Sequence, residues 1–128
     1  MDVLANFLNT LKTGGLVNKE SVIIPHSKLK ASIAEVLKKE GYIKAIKEHV
    51  DGNKKTLEVV LSYHGKTPRI TGVKRVSRPS NRVYKSVSQI YPVKYGHGLS
   101  VLSTPKGILT DKEARKEMVG GELLFTIW

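Results

Sequence analysis

A tight turn and the start of a helix meet in one stretch, Ser103-Thr104-Pro105-Lys106-Gly107-Ile108-Leu109-Thr110-Asp111-Lys112-Glu113-Ala114-Arg115. Pro105 fixes its own φ and removes a backbone donor, while Gly107 permits a positive φ. With Lys106 between them, they predict a tight turn that carries a lysine at its tip. Ser103 and Thr104 each supply a hydroxyl that donates and accepts. The turn suits a contact with a phosphate or a base, and an ordinary surface turn is the alternative.

The residues after this turn predict a helix and then a strand. Thr110 and Glu113 have the spacing of a capping box, in which each side chain accepts a hydrogen bond from the other residue's backbone N–H. We therefore expect a short helix over residues 111–116, followed by the Gly120-Gly121 pair. Residues 122–128 alternate as a closing strand should.

The rest of the second half also predicts short strands separated by turns. Alternating or apolar runs predict strands at residues 70–77, 82–85 and 99–103. Arg78-Pro79-Ser80-Asn81 has the composition of a turn. Residues 91–98 predict a connection with little regular structure.

The first half predicts the order α-β-α-β-β. Helical spacing predicts helices at residues 3–13 and 28–40, with buried stripes formed by Val3, Leu4, Phe7, Leu8 and Leu11 and by Leu29, Ile33, Val36 and Leu37. We expect Gly14-Gly15 to end the first helix, Ser27 to cap the second and Gly41 to be its C′ residue. Strands are expected at residues 22–24, 42–50 and 55–63, and the turn signal Asp51-Gly52-Asn53 joins the last two.

These patterns predict an α+β protein with two small lobes. The N-terminal lobe, residues 1–65, is expected to place two helices on one face of a small antiparallel sheet, and the C-terminal lobe, residues 66–128, to be mainly antiparallel β with one short helix. Gly65-Lys66-Thr67 at the boundary resembles the end of a phosphate-binding P-loop. The first glycine of that motif is replaced by Val60, and Pro68 precludes the helix that should follow. We therefore interpret the segment as a turn between the lobes.

The composition indicates a protein that works beside a polyanion. Lys and Arg number 22 against 11 Asp and Glu in 128 residues, which gives a net charge of +11 and a pI near 9.9. There are no cysteines, so disulfides and thiolate metal sites are excluded. No apolar run approaches the roughly 20 residues of a membrane-spanning helix, and the N-terminus lacks the basic region of a secretory signal.

Seven of the basic residues in the second half lie at predicted turns and strand ends. They are Lys74, Arg75, Arg78, Arg82, Lys85, Lys94 and Lys106. Such side chains neutralise phosphates, which dominates affinity for nucleic acid without carrying sequence information. Tyr84, between basic neighbours, is the best candidate to stack on a base, with a buried core tyrosine as the alternative. Glu122 is suited to accept a hydrogen bond from a base amino group, or to pair with a lysine or arginine and orient it.

An enzyme is disfavoured by the distribution of titratable residues. The four histidines are scattered without the spacing of metal ligands, at positions His26, His49, His64 and His97. The three aspartates fall at the chain start, a hairpin turn and a helix start, and no paired carboxylates are visible. We expect neither catalysis nor a cofactor.

Four runs, taken together, are more specific than any one of them. They are Ser27-Lys28-Leu29-Lys30, Arg75-Val76-Ser77-Arg78-Pro79, Arg82-Val83-Tyr84-Lys85, and the Ser103–Arg115 stretch followed by Gly120-Gly121-Glu122. Across nearly the whole chain their order and spacing resemble the bacterial-type family of small-subunit ribosomal protein eight. The resemblance implies direct binding to the central domain of small-subunit ribosomal RNA, early in subunit assembly, and no catalysis.

The resemblance also implies which residues and partners are involved. The implied RNA-binding residues are Ser27, Lys28, Lys30, Arg75, Arg78, Arg82, Tyr84, Lys85, Ser103, Thr104, Pro105, Lys106, Gly107 and Glu122. The implied partners are small-subunit ribosomal RNA, neighbouring ribosomal proteins and the protein's own messenger RNA, with no cofactor, metal or membrane. The implied location is the ribosome, in the cytoplasm or in an organelle matrix.

The chain departs from the family pattern at a few positions. Family members usually carry arginines on the RNA side of the first helix, where this chain has Asn6 and Leu8 and keeps a polar residue at Asn9. Serine is usual at Pro105, and an apolar residue is common at His97.

The alternative function is a repressor that binds messenger RNA or DNA. Co-sedimentation with ribosomes distinguishes a ribosomal protein from such a repressor.

Overall fold

Residues 3–91 and 98–128 are described by the computed structural model, and they divide into an N-terminal unit, Val3–Thr71, and a C-terminal unit, Gly72–Trp128. Each unit combines helix with antiparallel strands, which confirms the predicted α+β class. The predicted boundary at residue 65 precedes this division. Lys94, His97 and the greater part of the predicted irregular connection lie outside the described residues.

The N-terminal unit has the predicted α-β-α-β-β order and a small hairpin after it. Its elements are α1 (Val3–Leu16), β1 (Ser21–Pro25), α2 (Lys28–Lys39), β2 (Ile43–Asp51), β3 (Lys54–Leu61), β4 (Tyr63–His64) and β5 (Thr67–Pro68). The antiparallel sheet has the order β1-β3-β2, and both helices pack on it. Leu57, Val59 and Leu61 alternate as buried residues of β3, as predicted, but the strand ends at Leu61 and not at residue 63.

The end of α1 differs from the prediction, because Gly14 and Gly15 lie inside the helix. A Cβ atom at Gly14 would lie 2.7 Å from Cγ1 of Val22, and one at Gly15 would lie 3.0 Å from Cβ of Pro68. The glycines therefore permit close packing of the helix on its neighbours. The helix ends at Leu16, and Asn18 in the turn after it has a left-handed φ of 57°. The Lys19 N–H donates to the Gly14 carbonyl at 2.9 Å and closes this end of the helix.

Helix α2 begins at Lys28 as predicted and ends at Lys39, one residue before the predicted end, and its buried face is only partly as predicted. Ser27 caps the helix by accepting from the Lys30 N–H at 3.1 Å, and Gly41 takes the left-handed conformation with φ 82°. Leu29, predicted to be buried, is 44% exposed, while Lys30 is only 6% exposed. The buried residues are Lys30, Ile33, Ala34 and Leu37. The predicted period is right and Ile33 and Leu37 are buried as predicted, but the face extends towards Lys30 and Ala34 and not towards Leu29 and Val36.

The β2–β3 hairpin confirms its predicted turn. Asp51 and Lys54 form the last pair, and Gly52 occupies the first central position with φ 60°. Glycine is favoured at that position of a two-residue hairpin turn because a side chain there would be strained. Gly65 plays the same part between β4 and β5, so Gly65 and Lys66 form a turn that no helix follows. This turn lies inside the N-terminal unit and is therefore not the predicted turn between the lobes.

The C-terminal unit is mainly antiparallel β with one short α-helix, as predicted. Its elements are β6 (Val73–Arg75), β7 (Tyr84–Lys85), a 3-10 helix (Val87–Gln89), β8 (Leu99–Thr104), β9 (Gly107–Thr110), α3 (Asp111–Glu117) and β10 (Gly121–Ile127). The sheet order is β6-β10-β8-β9, and β7 also pairs with β10. Strands β6 and β7 are shorter than predicted, while β9 and the 3-10 helix were not predicted.

Helix α3 covers one face of this sheet. Its predicted capping box is present, since Thr110 Oγ1 accepts from the Glu113 N–H at 3.2 Å and Glu113 Oε1 accepts from the Thr110 N–H at 3.3 Å. Ala114 on the helix packs in a cluster of buried residues with Leu102 and Ile90. The cap and this contact fix the helix against β8, directly after the Pro105–Gly107 turn.

The C-terminus of α3 supports a stability prediction. Met118 has φ 56°, a left-handed conformation that costs a non-glycine residue about 1 kcal/mol or more. We expect Met118→Gly to raise the free energy of unfolding by about 0.5 kcal/mol, since relief of this strain exceeds the entropy that glycine adds to the unfolded chain. Urea denaturation measures the change. Asn18→Gly is the matched control and should gain less, because asparagine tolerates this conformation.

Candidate RNA-binding site

Strand β10 brings together three of the sequence-predicted residues. Glu122 is paired with Tyr84 on β7 and with Ser103 on β8. Residues directly opposite one another on paired strands project from the same face of a sheet. Tyr84, Ser103 and Glu122, far apart in sequence, therefore lie side by side in one row.

The row is closely spaced because two glycines lie where β10 starts, Gly120 just before the strand and Gly121 as its first residue. A Cβ atom at Gly121 would overlap the carbonyl oxygen of Ser103 and lie 3.1 Å from the Cα atom of Thr104. A Cβ atom at Gly120 would overlap the Lys85 carbonyl oxygen and lie 2.9 Å from the Cα atom of Ser86. Only glycine allows the backbone segments to approach this closely. The Gly120-Gly121 pair thus sets the spacing of the surrounding side chains.

A shallow depression of about 550 Å³ lies along this row. Its lining combines residues from β7, from the end of β8 with its turn, and from the start of β10, namely Tyr84, Lys85, Ser86, Ser103, Thr104, Pro105, Gly120, Gly121 and Glu122. We call it the β10 depression. Most of the second-half residues that the sequence predicted to bind RNA line it or border it.

Tyr84 is 67% exposed, so the alternative interpretation as a core tyrosine is wrong. Its hydroxyl makes no hydrogen bond within residues 3–91 and 98–128. The flat ring stands at the edge of the β10 depression, next to Lys85. An exposed ring beside a cation is suited to stack on an unpaired base.

The turn that follows β8 is rigid, as its sequence predicts. Thr104 Oγ1 donates to the Gly107 carbonyl at 2.8 Å and accepts from the Lys106 N–H at 3.2 Å. Gly107 has φ 110°, and Pro105 restricts the preceding corner. The Ser103 hydroxyl has no hydrogen-bond partner in the part of the chain that the structure describes. Ser103 therefore retains both donor and acceptor capacity for a ligand, whereas the Thr104 proton is already used.

Lys106 forms an exposed ion pair within the C-terminal unit. Its Nζ lies 3.2 Å from Oε2 of Glu117 on α3, and both side chains are about half exposed. Exposed pairs of this kind contribute about 0–1 kcal/mol and weaken with salt. The lysine can therefore exchange Glu117 for a phosphate at small cost.

Glu122 is held in place by two donors. Ser77 Oγ donates a short hydrogen bond to Oε2, and Arg82 Nη1 donates to the same oxygen at 3.1 Å. Burial alone raises the pKa of the Glu122 carboxyl, but these hydrogen bonds and the charges of Arg82 and Arg75 outweigh it, so the pKa lies below its ordinary value. The predicted pairing of Glu122 with an arginine is confirmed, and its other oxygen can still accept from a ligand.

Ser77 is a positioning residue that the sequence did not reveal. It is fully buried, and its Oγ accepts from the Val83 N–H at 3.2 Å while donating to Glu122. This connects the backbone just before β7 to the carboxylate of β10. Ser77 lies between Val76 and Arg78 in one of the family-like runs, but nothing in that spacing indicates a buried hydrogen bond.

The other two arginines that were predicted to bind RNA, Arg75 and Arg78, have different environments. Arg75, half-buried at the end of β6, donates through Nη1 to the Leu124 carbonyl at 2.7 Å, where β10 has an irregular register. Arg78 is exposed and closes the predicted turn through paired backbone hydrogen bonds with Asn81. Arg75 therefore also supports the sheet, while Arg78 presents its charge to solvent.

In the N-terminal unit, some of the residues predicted to bind RNA are likewise exposed, while others support the fold. Lys28 is exposed at the start of α2, where Ser27 caps the helix. Lys30 is buried, and its Nζ donates to the Pro25 carbonyl at 2.9 Å. Leu8 is only 2% exposed, so it belongs to the core and not to a polar side of α1. Asn6 and Asn9 are exposed and line a separate shallow depression with Thr10, Thr13 and Lys19.

The charge of Glu122 gives the C-terminal unit a pH dependence. Because its folded-state pKa is depressed, its stabilising contribution is complete well above the ordinary value of 4.5 and is lost as the pH falls below it. We expect Glu122→Gln to lower the free energy of unfolding at pH 7 by about 1–2 kcal/mol, since charged hydrogen bonds are replaced. Urea denaturation from pH 7 to pH 3.5 should show this difference shrinking. A pH-independent difference would contradict it.

The described residues contain no cluster of three or more histidines and carboxylates able to hold a metal ion. Among them there is also no helix with the length and hydropathy required to cross a bilayer.

Comparison with known proteins identifies the family. The profile described as Ribosomal protein S8 matches residues 2–128. The chain belongs to the ribosomal protein S8 family. It is 47% identical over 127 residues to "Small ribosomal subunit protein uS8" of Ruminiclostridium cellulolyticum, covering 99% of this chain and 97% of that protein. The proteins of the same name from Syntrophobacter fumaroxidans and Mycoplasmopsis pulmonis are 46% and 45% identical, over 99% of this chain and 97% and 96% of theirs.

The S8 family is structural and non-enzymatic, which confirms the prediction that the chain is not an enzyme. Membership makes the chain a small-subunit ribosomal protein and accounts for its excess of positive charge. The family-like runs that suggested this assignment converge around β10 in the C-terminal unit, apart from the Ser27–Lys30 run at the start of α2.

Proposed function

We propose that this chain binds the central domain of small-subunit ribosomal RNA directly, early in subunit assembly, and fixes the shape of one irregular RNA segment. The observation that carries the proposal is the row formed by Tyr84, Glu122 and Ser103, which brings a stacking ring, an acceptor and a hydroxyl together beside exposed cations. No reaction is required of these groups, since all of them act by contact.

Affinity comes first from the cations around the β10 depression. The best placed are Arg78, Arg82, Lys85 and Lys106, which are exposed or half-buried. Each phosphate that they neutralise releases counterions and gives no sequence information. Four such contacts correspond to a slope of about −3 to −4 in a plot of log affinity against log salt concentration.

Specificity comes from the groups between those cations. Irregular RNA is recognised through unstacked bases and 2′-hydroxyls, which a DNA strand lacks. Tyr84 supplies a stacking surface, and Ser103 supplies a hydroxyl that is able to meet a 2′-hydroxyl. Glu122 accepts from a base amino group while Ser77 and Arg82 hold it. Because Glu122 is already held by these two donors, little ordering entropy is lost at this group on binding.

In the N-terminal unit, Ser27 and Lys28 at the start of α2 are proposed as auxiliary RNA contacts. We expect Lys28→Ala to lower the salt slope by about one unit and to change the free energy of unfolding by less than about 0.5 kcal/mol. Lys30→Ala is the matched comparison at the same end of the helix. It removes a buried stem and its hydrogen bond to Pro25, so it should cost about 1–2 kcal/mol of stability. Urea denaturation and filter binding at several salt concentrations separate the two effects.

A nuclease footprint of the purified protein on full-length small-subunit ribosomal RNA tests the function. We expect one protected region, in the central domain, and an affinity well above that for an unrelated RNA of equal length. Equal affinity for both RNAs, or a preference for duplex DNA, would refute the proposal. In gradients, the protein should sediment with small subunits, whereas a dedicated DNA-binding repressor would stay in the light fractions.

A second RNA partner is consistent with the same surface. The groups around β10 read an RNA shape and not a long base sequence, so a messenger RNA that folds into a similar shape would compete for the β10 depression. The protein's own messenger RNA is the proposed candidate. Competition between that transcript and ribosomal RNA in filter binding tests this proposal, and independent binding of the two would contradict it.

A further inference from the structure

A second depression adjoins the C-terminal sheet, and the proposed contacts around Tyr84 do not use it. Its volume is about 310 Å³, near the lower end of the range for pockets that take small ligands. Ile90, Leu102 and Leu123 form an apolar floor, and Lys85, Gln89 and Tyr91 form a polar and aromatic rim. We call it the Tyr91 depression. An apolar floor with a few polar groups at its rim fits a flat, unstacked nucleobase.

Tyr91 is a second exposed aromatic side chain in the C-terminal unit. It is 72% exposed, close to the 67% of Tyr84, and its hydroxyl has no hydrogen-bond partner within the described ranges. A ring that is mostly exposed to solvent is available to stack on a base, which has a π face whatever its identity.

Gln89 gives this depression a fixed polar group. Its Oε1 accepts from the Ser86 N–H at 3.1 Å and from the Ser86 hydroxyl at 3.3 Å, in the capping box of the 3-10 helix. Both acceptor contacts hold the amide in one orientation and leave its NH₂ group as a donor. A donor of this kind is able to meet a ring nitrogen or carbonyl on a base edge.

Lys85 connects the two depressions, since it lines both of them. It is also the only charged residue among those that line the Tyr91 depression in the described part of the chain. No carboxylate is among those described lining residues, and a cation at the rim favours an anionic ligand such as RNA, whose phosphate it can contact.

We infer that the Tyr91 depression is a second RNA subsite, which takes one unpaired base that stacks on Tyr91 and accepts a hydrogen bond from Gln89, while Lys85 contacts the phosphate next to it. Because this subsite exists only if the chain binds ribosomal RNA, the inference rests on the proposed function. It adds a distinct region of the surface to that function, because the paired residues Leu102 and Leu123 project from the sheet face opposite to that of Tyr84.

The test measures binding of the full-length protein to small-subunit ribosomal RNA by filter binding, for the wild type, Tyr91→Ala, Tyr91→Phe and Tyr84→Ala. We expect Tyr91→Ala to weaken binding roughly 5- to 100-fold without changing the salt slope, because stacking is lost and no phosphate contact is removed. Tyr91→Phe keeps the ring and should bind within about twofold of the wild type. Circular dichroism should show the same fold and melting temperature for all variants, since Tyr91 is exposed.

The outcomes separate this subsite from the proposed function itself. If Tyr84→Ala weakens binding but Tyr91→Ala stays within twofold of the wild type, the second subsite is refuted and the proposed function stands. If the wild type binds ribosomal RNA no better than an unrelated RNA, both are refuted. Unchanged RNA affinity of Tyr91→Ala with weaker retention in assembled subunits would assign the depression to a neighbouring protein and would also overturn the inference.

Discussion

Gly121→Ala is expected to lower the free energy of unfolding by about 2–3 kcal/mol, near the upper end of the range for overpacking substitutions. The added Cβ atom would overlap the Ser103 carbonyl oxygen and approach the Cα atom of Thr104 to 3.1 Å. Both obstacles are backbone, so the side chains cannot relieve the overlap by changing rotamer. Strands β8 and β10 would have to separate at the point where Ser103 and Glu122 are paired.

Urea denaturation followed by fluorescence of Trp128, the single tryptophan, reports the unfolding of this unit. Gly65→Ala, monitored by circular dichroism, is the control. It adds the same methyl group where no atom lies within 4 Å, so only the strain of its φ of 63° should appear, at about 1 kcal/mol. While still folded, the Gly121→Ala variant should also bind RNA more weakly than the wild type, because the row of Tyr84, Glu122 and Ser103 is displaced. A Gly121→Ala variant as stable as the wild type would show that the strands accommodate a side chain.

The sequence predicts helix caps and tight turns well, because the residue types found there suit few other positions. The capping box at Thr110 and Glu113, the N-cap at Ser27 and the turn at Gly52 are all confirmed, because each depends on groups a few residues apart. The 3-10 helix could have been predicted by the same reasoning. Ser86 and Gln89 have the spacing of a capping box.

Tertiary packing decides the features that sequence patterns do not settle. Gly14 and Gly15 were predicted to end a helix, but a glycine pair equally allows close approach, and only the position of Val22 and Pro68 distinguishes the two. The family resemblance implied that Lys30 binds RNA, a role that calls for an exposed side chain, but Lys30 is buried. Its burial depends on the Pro25 carbonyl, which the fold places within reach of Nζ.

The sequence indicated which residues belong to the candidate site, but not how they are arranged in space. Family-like runs indicated Tyr84, Ser103 and Glu122, yet their pairing depends on the register of β7 and β8 against β10. A shift of one residue would turn Tyr84 to the opposite face. Ser77 was missed because its role depends on two long-range hydrogen bonds, to Val83 and to Glu122.

Tyr84→Ala is expected to weaken binding to small-subunit ribosomal RNA by about 1–3 kcal/mol, the range measured for loss of one base stacked on an aromatic side chain. The ring is 67% exposed and borders the β10 depression, so its removal creates no cavity in the core. The free energy of unfolding should therefore change by less than about 0.5 kcal/mol. Filter binding at several salt concentrations gives the affinity and the slope, and the slope should match that of the wild type because no cation is lost.

Two further variants distinguish base stacking from a phosphate contact or a hydroxyl hydrogen bond. Tyr84→Phe keeps the ring and loses only the hydroxyl, which has no partner within the described residues, so most of the affinity should remain. Lys85→Ala, at the neighbouring position, should lower the salt slope by about one unit, since it removes one phosphate contact. If Tyr84→Ala and Lys85→Ala instead change the slope alike, Tyr84 acts only by holding its neighbour in position. If Tyr84→Ala leaves the affinity unchanged with the fold intact, the exposed ring is not part of the RNA contact, and recognition must depend on Glu122 and the Pro105–Gly107 turn.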